Sequence, residues 1–244
     1  LFYWDYTFGI LLITLFFAFT FGSVGDFGRS FLHDLEQAKM SNLTSAFIGG
    51  IIFNFANLLL VIAIEIAGMA IAFPIGIGIA LVLGVFTNYI AQPEGDPLIL
   101  IIGVTLVALA ILIDGIAYKK ILQKTNENPL KGILFSVSAG IAMGFFYKYV
   151  AASMAIDFVI PEAGKLTPYS ALVIFSLGII ISSFLFNTIN MYRPFSGEKV
   201  SFSDYFTMGN IKLHLIGILG GVIWGIGMSF NIIASDQAGP AIAY

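Results

Sequence analysis

Seven stretches of this chain are long, almost free of charge and not interrupted by polar residues at any regular interval. They run Tyr6–Gly22, Ser45–Ile64, Met69–Ile90, Pro97–Tyr118, Gly132–Ala151, Tyr169–Ile189 and Leu213–Ala234, and together cover more than half of the sequence. An apolar segment of about 20 residues matches the hydrocarbon thickness of a bilayer when it is helical. Strands of a membrane barrel would instead alternate in polarity over about ten residues. The sequence therefore predicts an all-α, polytopic helical membrane protein in which seven spans are visible.

Composition narrows the function. Only 10% of residues are charged, against roughly a quarter in a soluble domain. The net charge of −3 offers no basic patch, and no nucleic-acid partner is expected. Without cysteine there is no disulfide, thiolate nucleophile or Cys-ligated metal. His33 and His214 stand alone, so no metalloprotease pair at i, i+4 forms. Gly22-Ser23-Val24-Gly25-Asp26 lacks the spacing of an intramembrane aspartyl protease, and no phosphate-binding loop occurs. Neither an enzyme nor a cofactor is expected.

The breaks between spans carry the expected punctuation. Ala67-Gly68 leaves almost no loop between the second and third spans, and Gln92–Pro97 is a polar turn with Pro opening the next helix. The Lys-rich segment 119–131 reads as a linker between two halves. Asp26–Asn42 mixes Phe27, Phe31, Leu35 and Met40 with charges, which fits either a short interfacial helix or a solvated loop. Seven Lys/Arg on the linker side against four on the other favour the linker side as cytoplasmic.

The most informative pattern is internal. Gly49–Phe73 aligns without gaps on Gly220–Tyr244, and ten of 25 positions are identical, where composition predicts about two. Gly49-Gly50 falls on Gly220-Gly221, Ala67-Gly68 on Ala238-Gly239, and Glu65 on Asp236. From this follow two copies: residues 1–118 as a first repeat, 119–131 as linker and 132–244 as a second repeat. The first copy lacks a partner for the span 132–151, and the second stops where the first continues into two more spans. The expectation is ten spans in all, five per copy, with one missing at the start and two at the end. An odd number per copy makes the repeats inverted, an arrangement typical of transporters with a midplane site.

Small residues recur every fourth position at Gly217/Gly221/Gly225, Gly76/Ala80/Gly84 and Ser136/Gly140/Gly144. Such stripes let helices approach closely, and packing is their expected role. Polar groups at membrane depth point to ligands because burial costs them free energy. Asn54 and Asn57 lie three apart on one face, and Trp224 and Met228 occupy the matching neighbourhood of the second copy. Amides opposite an aromatic plate suit a small, flat, neutral polar solute, although Asn–Asn bonding between helices is the competing reading. Glu65 and Asp236, ending equivalent helices, are candidate proton-coupling carboxylates, and Lys148 is a candidate counter-charge on the side of Asp236. Asn187 and Asn190 are expected at the interface.

Three stretches carry a resemblance: Tyr3-Trp4-Asp5-Tyr6-Thr7-Phe8-Gly9-Ile10-Leu11-Leu12, the run from Ala67 to Gly84, and the run from His214 to Trp224. They resemble plant ureide permeases and their bacterial relatives, among the glucose/rhamnose-type porters of the drug/metabolite transporter superfamily. The resemblance implies ten spans in two inverted five-helix repeats. It also implies proton-coupled uptake of a neutral heterocycle such as allantoin or uracil, or of a sugar. The plant proteins have a long central loop with a phosphate-loop-like motif, and the short linker here departs from that. This favours a bacterial-type member in the inner membrane. The partners expected are the lipid bilayer, a small solute and protons, with a homo-oligomer or larger membrane complex left open. The competing functions are a scaffold subunit that reuses a transporter fold and an exporter of drugs or metabolites.

Overall fold

The computed structural model describes residues 1–24, 28–121 and 129–244. Among them are α1 (Tyr3–Phe19), α2 (Phe21–Val24), α3 (Phe31–Gln37), α4 (Met40–Ala67), α5 (Met69–Ala91) and α6 (Pro97–Ile121). The chain continues with α7 (Pro129–Ser153), α8 (Pro168–Tyr192), α9 (Phe202–Thr207), α10 (Ile211–Ala238) and α11 (Pro240–Ala243). Seven of these segments are long and apolar enough to cross a membrane, and each contains one of the seven stretches read from sequence, to within a few residues at the ends. The chain is thus an all-α, polytopic membrane protein. The central part of the expected linker, 122–128, lies outside the described residues.

The helix boundaries follow from local chemistry. Asp96 Oδ1 accepts from the backbone N–H of Leu98 at 2.8 Å and Ile99 at 3.2 Å, which caps α6 ahead of its first residue, Pro97. Between α4 and α5 stands a single residue, Gly68, at φ 82° and ψ 152°. Gly239, its counterpart in the duplicated stretch, separates α10 from α11 at φ 75° and ψ 156°. A positive φ is costly for any side chain, so glycine turns the chain at both places.

The helices pack as two compact units. The first comprises Leu1–Ile51 and Tyr149–Gln237, and the second Ile52–Lys148 and Ala238–Tyr244. These are units of packing, whereas the expected repeats are units of descent, so the two divisions answer different questions.

In the first unit, α1 lies along α8, and Thr14 Oγ1 and Ser176 Oγ share a hydrogen bond of 3.0 Å. Two helix crossings are made glycine to glycine. A Cβ on Gly221 of α10 would strike Tyr6 O of α1, and one on Gly9 of α1 would strike Ile218 O. In the same way Gly50 of α4 abuts Phe175 O of α8, and Gly178 of α8 abuts Phe47 O. Gly50 and Gly221 are equivalent in the duplicated stretch and make equivalent contacts.

Asp26–Asn42 was expected to be an interfacial helix or a solvated loop. Its described part contains α3, which packs onto the unit. Phe31 is 3% exposed against Ala18, Tyr169 and Val173. Asp34, fully buried, accepts from Arg29 Nε at 2.8 Å and from the Thr167 backbone N–H at 2.8 Å. Arg29 also donates to the carbonyls of Pro161 and Lys165, so α3 is tied to the loop between α7 and α8.

In the second unit the predicted small-residue stripes face each other. A Cβ on Gly140 of α7 would lie 2.5 Å from Gly76 O of α5, and one on Gly144 would meet Leu83 Cβ. The ring of Tyr244 covers Gly84, and its hydroxyl donates to Met143 O at 3.0 Å. Phe146 packs against Phe53 and Tyr244. Helix α6 packs on α5, and its stretch Pro97–Asp114 has no buried residue, which suits a helix facing lipid.

Candidate functional site

In the second unit Asn54 is fully buried on α4, while Asn57, one turn on, is half-buried. Burial of an amide at this depth is affordable only with hydrogen-bonding partners. Glu65, near the end of the same helix, is exposed. Lys148 is half-buried on α7, its Nζ 5.0 Å from the centre of the Phe145 ring, within cation–π range.

In the first unit Trp224 and Met228 follow one turn apart on α10. Trp224 stacks on Phe175 at 6.3 Å with 21° between the planes, and Tyr6 lies tilted against it. Met228 is 8% exposed. The half-buried Asp236 is not idle in this fold, since its Oδ1 accepts the Phe158 backbone N–H at 3.1 Å and thereby fixes the loop after α7.

Asn88, a further buried polar residue, was not singled out from sequence. Asn88 on α5 donates to Gly84 O at 2.7 Å, but its buried carbonyl oxygen has no hydrogen-bond partner among the described residues. Asn187, expected at the interface, is 3% exposed, and its amide nitrogen is likewise unpartnered there. Its neighbours Leu185 and Ile189 on α8 are exposed, so one face of that end is packed and the other is open.

A further polar cluster lies at the start of α1. Asp5, 2% exposed, accepts from the Tyr205 hydroxyl of α9 and sits 2.8 Å from His214 Nδ1 of α10. His214 is held between the rings of Phe2 at 5.4 Å and Tyr205 at 4.5 Å. Tyr205, outside the spans, has its pKa pushed up to about 12 by burial, by its bond to Asp5 and by that carboxylate's charge. It therefore stays a hydrogen-bond donor at any physiological pH.

A groove of about 960 Å³ between α5 and α6 holds none of these residues. Its walls are aliphatic, with Ile75, Val82 and Leu112 among them, and offer nothing to orient a polar solute.

Comparison with known proteins places the chain. Ureide permease 3 of Arabidopsis thaliana is 25% identical over an alignment that covers 99% of this chain and 77% of the plant protein. No solved structure matches. The family described as sugar transport protein matches residues 6–244, almost the whole length of the helical array described above. A chain of seven membrane-length helices that matches this family from its first span to its last residue belongs to the sugar transport protein family and is an integral, multi-pass membrane protein.

Proposed function

We propose that this protein is a secondary active transporter that takes up a small neutral polar solute, a ureide or nucleobase such as allantoin or uracil, or a sugar, by proton-coupled alternating access. The family match over residues 6–244 carries the reading, and the similarity to a protein named as a ureide permease adds the heterocyclic solutes to the sugars. Transport rather than catalysis is what such a family supports.

Asn54, Asn57, Trp224 and Met228 are the residues proposed to contact the solute. Amides give a neutral solute both donors and acceptors without the cost of burying a charge, and an indole face gives a planar or ring-shaped solute an apolar plate. Glu65 and Asp236, with Lys148 as counter-charge, are proposed as proton-coupling groups at the helix ends. The architecture proposed is a pair of inverted repeats, with residues 1–118 belonging to the first and 132–244 to the second, joined by 119–131. The duplicated stretch supports it, and so do its equivalent glycines, Gly68 with Gly239 and Gly50 with Gly221. A bacterial inner membrane is the location proposed, on the strength of the short linker.

Binding is tested by thermal unfolding of the purified protein against allantoin, uracil, xanthine, glucose and rhamnose. A ligand of the native state at a hundredfold excess over its Kd stabilises by about 2.7 kcal/mol. One chemical class is expected to raise the unfolding temperature, and Asn54→Leu is expected to abolish the rise. No rise with any of the five, in a protein shown to be folded, contradicts the reading.

A further inference from the structure

Asp5, His214 and Tyr205 join three helices of the first unit through one buried carboxylate, and none of the groups assigned above includes them. We propose that Asp5 and His214 together form a proton-binding site of this protein, with His214 taking the proton from solution and Asp5 holding it as the counter-charge. Its use in transport rests on the proton-coupled reading above, but the site itself stands on geometry.

The argument begins with cost. A carboxylate whose side chain is only 3% exposed is expensive to keep ionised in a membrane-length helix. Asp5 is offset on both oxygens, by the Tyr205 hydroxyl on one and His214 Nδ1 on the other. With His214 neutral, Nδ1–H donates and the pair carries one negative charge. One proton on the imidazole makes the pair neutral overall, which a low-dielectric surrounding favours. That proton belongs to the pair rather than to either residue.

Access is directional. The His214 side chain is 21% exposed whereas Asp5 is closed off, so the imidazole is the group that meets water. The backbone makes room for it, because any Cβ on Gly209 would strike His214 Nε2. On the other flank Gly217 lies against Asp5 Cβ. Among the described residues the charged and titratable groups nearest the pair are these. Tyr205 is the titratable group from α9. On α8 the neighbouring side chains that pack on Trp4 are the uncharged Met191 and Phe184. Arg193 and Lys212 are exposed, and Asp204 is tied to Ser201.

The sequence has two histidines, so His33→Gln leaves His214 as the only imidazole. Protein with ¹⁵N-labelled histidine, in lipid nanodiscs, is titrated from pH 4.5 to 9 by NMR. The neutral ring is expected to carry its proton on Nδ1 and to bind a second in one step. Asp5→Asn moves the midpoint to lower pH, because the imidazolium loses its counter-charge. Tyr205→Phe moves it to higher pH, because the carboxylate loses a donor that spreads its charge. An identical midpoint in the Asp5→Asn and Tyr205→Phe variants and the parent overturns the proposal, as does the absence of any titration. Tyr205→Phe keeps the test open if Asp5→Asn does not fold. In proteoliposomes, the ratio of solute uptake with and without an inward proton gradient is expected to fall to about one in His214→Gln. A parent whose uptake ignores the gradient overturns the proton-coupled reading while leaving the titration result intact. A parent that responds, with His214→Gln responding equally, overturns the role given to this pair.

Discussion

Asn54 and Asp5 are polar side chains closed off from solvent on otherwise apolar helices, and each has to be held by what surrounds it. Asn54→Leu keeps the volume and removes the amide. Uptake is expected to fall about tenfold or more, equivalent to about 1.4 kcal/mol, while the unfolding temperature moves only slightly, because hydrogen bonds between membrane helices average about 0.6 kcal/mol. A fall in uptake matched by an equal loss of folded protein would make Asn54 a packing residue. At Asp34 the order reverses. It is fully buried against Arg29, itself outside the spans, so Asp34→Ala leaves a guanidinium without its counter-charge and costs about 3 kcal/mol. Chemical denaturation followed by tryptophan fluorescence checks this. At Tyr205 the raised pKa, about 12 against an ordinary 10, means that the folded state favours the neutral phenol. Its contribution to stability is complete below pH 10 and is lost as pH rises from 10 through about 12. Parent protein should therefore destabilise more steeply than Tyr205→Phe across that window.

At the scale of helices, small-residue stripes set how closely backbones approach. Gly140→Val would drive a branched side chain into Gly76 O and Ile79. Overpacking of this kind costs about 1–3 kcal/mol, and a lowered unfolding temperature with unchanged solute preference is the expected result. These stripes were legible in the sequence because a spacing of four is a property of one helix and needs no knowledge of its partner. The seven spans were legible for a similar reason, since hydropathy over 20 residues is a local signal. The cluster at Asp5 was not. Its partners lie 200 and 209 residues away, and each, read alone, looks like a polar residue at a helix end. The burial of Asn187 was not legible either, because position along a helix does not tell which face its neighbours cover. For Asp26–Asn42 the sequence left a short helix and a solvated loop open, and α3 fits the helix; that Asp34 would be buried was not legible, because its partner Thr167 lies 133 residues away.

For the whole molecule the claim is that helices matched to a bilayer carry a neutral solute inward on a proton gradient. The measurement that addresses it most directly is uptake of radiolabelled allantoin, uracil, xanthine, glucose and rhamnose into proteoliposomes, with and without an inward proton gradient. The account predicts accumulation of one chemical class, faster with the gradient and abolished when a protonophore collapses it. Equal entry of every solute into protein-containing and empty vesicles, with the protein shown to be folded and inserted, would contradict it.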